Sequence, residues 1–156
     1  MRRLRMIAAV AILALPAGSH AAALPGGGVT AQEVARVLQA KGYRAEVGKA
    51  DDGTPKINNG LDGSSFTVWF YTCKSDRCAA IQFAAGFDLK DGVSLAKINA
   101  WNRDKRFGRG YLDEEMNPYV QYDVDFEIGG TTEAIGNAVE VWASVFPTFK
   151  KYLDIE

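Results

Sequence analysis

Cys73 and Cys78 are the only two cysteines of the chain, and His20 is its only histidine. Two thiolates alone leave a zinc ion short of its four ligands, so the pair points to a disulfide and not to a metal centre. Redox-active pairs usually place two residues between the cysteines at a helix N-terminus. Here four intervene in a hairpin loop, which favours a structural bond. Arg103, Lys105, Arg106 and Arg109 crowd four cations into seven residues. Such a set could hold an anion or an acidic partner, or pair with the acids of its own sheet. Asp123, Asp125 and Glu127 alternate along one strand. General acid–base work needs one raised pKa, which a solvated strand face does not supply. They read as a wet face. Asp51-Asp52-Gly53 lacks the further carboxylates of a cation loop and reads as a turn.

The leader removes more chemistry. Arg2, Arg3 and Arg5 precede an apolar run from Met6 to Leu15, Pro16 breaks it, and Ser19-His20-Ala21 offers small residues at a cleavage site. This is the three-part pattern of a secretory signal peptide, residues 1–21. Ten apolar residues are too few for a membrane span, which needs about 20. The expected home is the periplasm or the outside of the cell. Cleavage after Ala21 takes His20 with it, which excludes Ser–His and Cys–His catalysis and any histidine-held metal. Without the three leader arginines, Lys and Arg fall from 18 to 15 against 19 Asp and Glu, a net charge of −4. An acidic chain with no basic tract is a poor partner for nucleic acid. Residues 22–29 read as a flexible linker and residues 30–156 as one domain.

The elements that must position these side chains follow from spacing. Ser65 to Phe87 holds two runs rich in aromatic and β-branched residues around Lys74-Ser75-Asp76-Arg77, the pattern of a β-hairpin at the centre of a sheet. If Cys73 faces Cys78, then Tyr71 opposes Ala80, Trp69 opposes Gln82, Phe70 meets Ile81 and Val68 meets Phe83. The better core face carries Phe70, Ile81, Val68 and Phe83. The disulfide then falls on the opposite face, beside Trp69 and Tyr71. If no helix covers those two rings they form a partner surface; three helices around one sheet favour a covered, second core.

Thr30-Ala31-Gln32-Glu33 is a capping box, opening a helix that runs to about Lys41 and stops at Gly42. Tyr43–Gly48 reads as a strand, Lys56-Ile57 as a short second strand, and residues 58–63 as a turn-rich loop. Ser94 caps a second helix, whose Leu95, Ile98 and Trp101 share a face and which ends near Asp104 or Lys105. An asparagine of the N-x-W-N run, Asn99 or Asn102, caps the helix or bridges to the next strand, or Asn102 serves a binding role with Arg106. Residues 107–112 read as a strand. If Leu112 opposes Val120, Arg109 falls opposite Asp123, and the glycines at 108 and 110 leave room for a large ring. Residues 119–128 alternate as a one-sided strand. A last helix carries Ile135, Val139, Trp142, Val145 and Phe146, with Pro147 kinking or restarting it. The class is α+β: an antiparallel sheet of five to six strands with three helices, in the order α-β-β-β-β-α-β-β-α.

The run GLDGSSFTVWFYTC, then AAGFDL, then INAWNRDKRFGRGYLD resembles the YbjN-like family, labelled bacterial sensory transduction regulators. Ile98, Asn99, Trp101, Asn102, Arg106 and Phe107 carry its most specific segment. The resemblance implies a fold similar to type III secretion chaperones, which often dimerise, so a homodimer is among the states implied. It supplies no catalytic motif, cofactor or metal set. The reading is therefore an exported, non-enzymatic domain that binds a protein or peptide partner in an envelope regulatory or chaperone-like role. The alternative is a small-ligand or anion binder using Arg103, Arg106 and Arg109. Trp69, Tyr71, Asn102, Arg103, Arg106 and Arg109 are the candidate binding residues.

Overall fold

The computed structural model describes Leu24, residues 27–61 and residues 64–155. The signal-peptide expectation for residues 1–21 lies outside the described residues, as do residues 22, 23, 25 and 26 of the linker; its residues 27–29 are no flexible tether, since Gly28 N–H donates to Phe126 O and Val29, fully buried, pairs with Cys78. The elements are α1 (Ala31–Ala40), β1 (Glu46–Lys49), β2 (Pro55–Leu61), β3 (Ser64–Lys74), β4 (Arg77–Gly86), α2 (Leu95–Asp104), β5 (Arg109–Leu112), β6 (Pro118–Asp125) and α3 (Thr132–Tyr152). The order is the expected one. The strands form one six-stranded antiparallel sheet, β1-β2-β3-β4-β6-β5, with the β3–β4 hairpin at its centre.

The hairpin register is as the cysteine pairing requires: Trp69 opposes Gln82, Tyr71 opposes Ala80 and Cys73 opposes Cys78. Phe66, Val68, Phe70, Ile81, Phe83 and Ala85 line the buried face, all at most 4% exposed. Against them pack Trp142, with ring centroids 5.5 Å from Phe66 and 5.6 Å from Phe83, and the apolar stripe of α1. Alternation of apolar and polar residues along β3 thus selects one face for the core, as a period of two demands.

Several boundaries differ from expectation, each for a local reason. Helix α1 ends in a Schellman motif, with Tyr43 N–H donating to Leu38 O and Gly42 N–H to Gln39 O. Tyr43 is thereby spent on the cap, and Ala45 turns at φ +47, so β1 starts only at Glu46. Residues 58–61 are not a loop; β2 continues through them, with Asn58 opposite Thr67 and Leu61 opposite Ser64. The 74–77 loop shrinks to a two-residue turn, because Lys74 pairs with Arg77. Strand β6 stops at Asp125, whose side chain takes the Glu127 N–H at 2.7 Å, and Ile128 is fully exposed and not on the apolar face. In α2, Ile98 and Trp101 are buried but Leu95, in the first turn, is 70% exposed.

Pro147 neither ends nor restarts the last helix. The helix runs unbroken from Thr132 to Tyr152, with Pro147 on its exposed side. There the Ala143 carbonyl that loses its partner can turn to water. Phe149 and Leu153 carry the buried stripe past the proline.

Candidate functional site

All three helices pack on the same side of the sheet. Trp142 of α3 stacks on Phe83, α1 packs on α3, and Trp101 of α2 sets its edge 4.9 Å from Phe149 of α3. The expected second core over Trp69 and Tyr71 is therefore absent among the described residues. Tyr71 is 45% exposed and Trp69 is half-buried. The helix count suggested coverage; the apolar faces of the three helices instead all meet one sheet face and one another.

The disulfide expectation needs a second correction, of place. The sulfurs of Cys73 and Cys78 lie at bonding distance, 2.12 Å. Cys78 is fully buried in the hydrophobic core and Cys73 packs against that core, away from the aromatic surface. Thr72, at φ +53, leaves the β3–β4 ladder and breaks the alternation between Tyr71 and Cys73. A β-branched residue at positive φ is an outlier, and β4 breaks its own alternation opposite it, with Ala79 O and both backbone groups of Cys78 turned to the same side.

The open face has its own network. Tyr71 Oη donates to Gln82 Oε1 at 3.3 Å, and Gln82 Nε2 donates to Asp123 Oδ1 at 2.7 Å. Lys56 sits over the Trp69 ring at 5.5 Å. Farther along, Tyr111 and Tyr119 stack with centroids 5.0 Å apart, with Arg109 over Tyr111 at 5.3 Å. Burial raises the Tyr71 phenol above its usual value, and the Asp123 charge adds to that. Gln82, Asp123, Tyr111 and Tyr119 escaped the sequence reading as site residues. Extending the hairpin register one strand further would have found the first two.

The cationic run is dispersed onto its neighbours. Arg103 pairs with Asp104 at 2.8 Å, Lys105 lies over Trp101, Arg106 lies over Phe107, and Arg109 donates to Gln121. The expected Arg109–Asp123 pair is not formed, because the register is shifted by two. Leu112 opposes Pro118, and Arg109 opposes Gln121. The N-x-W-N run holds β5 in place. Trp101 Nε1 donates to Gly108 O at 2.6 Å, and the Asn102 amide makes two hydrogen bonds to the Gly110 backbone. Asn102 is thus the bridge to the next strand, and the glycines do make room for a ring. A Cβ on Gly110 would lie 3.2 Å from Trp101 Cδ1.

Sequence comparison identifies the framework. A family model, YbjN, described as "Putative bacterial sensory transduction regulator", matches residues 30–154. The chain belongs to the YbjN family. No curated protein and no solved structure gives a significant match. The YbjN segment that reads Ile98 to Phe107 is the one that pins α2 to β5. In this YbjN domain no group of three or more His, Cys, Asp or Glu residues able to hold a metal ion occurs among the described residues. No helix among them is long and apolar enough to cross a membrane.

Proposed function

We propose that this YbjN domain is exported and works without catalysis, docking a protein or peptide partner of the cell envelope on its open sheet face in a regulatory or chaperone-like role. One observation carries the reading: Trp69 and Tyr71 stand on a sheet face that no helix among the described residues covers. Partly exposed Trp and Tyr side chains give large contact area at small entropic cost, which is why they dominate interface energetics. The leader supports export, and the family description supports a regulatory role. The test is crosslinking in the periplasm, identification of the captured protein, and its affinity for the purified domain. Trp69→Ala should weaken it at least about tenfold, with Arg106→Ala near neutral. Fractionation that leaves the chain in the cytoplasm with residues 1–21 attached overturns the export reading.

A further inference from the structure

The open face is a groove, and its two walls differ in chemistry. Strand β4 presents Ala80, Gln82, Ala84 and Gly86 to this side. Two alanines and a glycine keep this floor low, and Gln82, bonded to Tyr71 and to Asp123, is only 9% exposed. On one side Tyr71 and Trp69 rise from β3, directly opposite Ala80 and Gln82. On the other, Asp125 and Asp123 rise from β6, opposite the same two residues. The backbones of the two wall strands stand about 10 Å apart across β4, and Gln82 bridges them low down by its bonds to Tyr71 and Asp123. The Tyr119 ring closes one end: a Cβ on Gly86 would lie 2.2 Å from it. The other end opens past Ala80 and Asp125.

We infer that this groove takes an extended, basic peptide segment, with a Lys or Arg side chain held between the Tyr71 and Trp69 rings and the Asp123 carboxylate. Gln82 fixes one Asp123 oxygen at 2.7 Å and, by receiving the Tyr71 hydroxyl, ties ring to carboxylate. Asp123 has no ion-pair partner among the described residues. Two cations that the register sets on this face, Lys56 and Arg109, lie on β2 and β5, outside the two walls. Lys56 already stacks on Trp69, which shows the ring's geometry suits a cation. A guanidinium would gain a paired carboxylate and an aromatic face at one point.

The inference rests on the docking reading, and its test separates the two. Fluorescein-labelled hexa-arginine, hexaglutamate and cellohexaose are titrated into the domain by anisotropy. Hexa-arginine alone should bind, and Asp123→Asn should weaken it about tenfold. Asn keeps the oxygen that Gln82 reaches, so the variant should retain the fold, checked by near-ultraviolet circular dichroism. Glu114→Gln, which removes the same charge from an exposed turn, should have little effect. Equal weakening by both substitutions, equal binding of hexaglutamate, or binding of cellohexaose in its place overturns the basic-segment inference. If that fails while an envelope protein still depends on Trp69, the docking reading stands without it. If neither is seen, both fall.

Discussion

Asn102 and Gly110 meet as two residues of neighbouring strands would. The Gly110 N–H donates to Asn102 Oδ1 at 2.8 Å, and Asn102 Nδ2 donates to the Gly110 carbonyl at 3.0 Å. One side chain of α2 thereby covers the outer edge of β5, which would otherwise offer free backbone groups for aggregation. Asn102→Asp removes the donor and sets a carboxylate against a carbonyl. We expect a loss of about 2 kcal/mol, read as a lower urea midpoint. Arg106→Ala, which only uncovers the Phe107 ring, should stay within about 0.5 kcal/mol. Comparable effects would return the two residues to a shared binding role.

Gly108 makes the close approach behind this arrangement possible. It sits at φ +82, and a Cβ there would lie 2.5 Å from Val145 Cγ1. Gly108→Ala should cost about 3 kcal/mol, part backbone strain and part overpacking. Adding Val145→Ala makes room and should recover the overpacking part, so that the double variant is more stable than the sum of the singles predicts. Strict additivity would show that the contact is relieved elsewhere.

How much of this was legible beforehand depended on the range of the signal. The capping box at Thr30, the Ser94 cap and the Cys73–Cys78 register are set by residues a few positions apart, and they stand as read. The β5–β6 register was misplaced by two because the tight hydrogen bonds of α2 to Gly108 and Gly110 decide where β5 begins. Asn58, Asn59 and Gly60 look like a turn, yet cross-strand pairing with β3 holds them extended. The open face stayed hidden for the same reason: which side of a sheet three helices choose is a tertiary outcome, and no local pattern encodes it. Thr72 is the sharpest case. Nothing in its type announces φ +53, which takes Cys73 out of line with Tyr71.

Arg77 and Glu33 supply a pH dependence. Arg77 Nη1 lies 3.1 Å from Glu33 Oε1, with side chains 19% and 16% exposed, and the same guanidinium donates to the carbonyls of Gly27 and Gly28. Burial pushes the Glu33 carboxyl up, but the Thr30 N–H and Arg77 outweigh it and hold it below its usual value. A depressed acid stabilises the fold above its unfolded-state pKa, and that contribution is lost as pH falls through the lowered folded value. The midpoint gap between the native chain and Glu33→Gln, about 1–2 kcal/mol at neutral pH, should therefore close below about pH 4.3. A gap that persists unchanged into strong acid would remove the pair from the stability account.

The cysteine clasp reaches beyond its hairpin. Val29 N–H donates to Cys78 O at 2.9 Å and Cys78 N–H to Val29 O at 2.8 Å, so the segment before α1 lies along β4 at the clasped tip. The loop between the cysteines is short, and the bond should stabilise by about 2 kcal/mol on the chain-entropy model. Its loss frees the tip to relax the strained Thr72, which loosens the ladder to Val29. Protein folded in an oxidising compartment should show no free thiol by mass spectrometry without reductant. Cys73→Ser should lower the midpoint by that amount and speed amide exchange at Val29 and Cys78 more than at Ile81 and Phe83, which open only with the whole sheet. Exchange that rises equally at all four amides would mean that the clasp acts on global stability alone, with no special hold on the N-terminal segment.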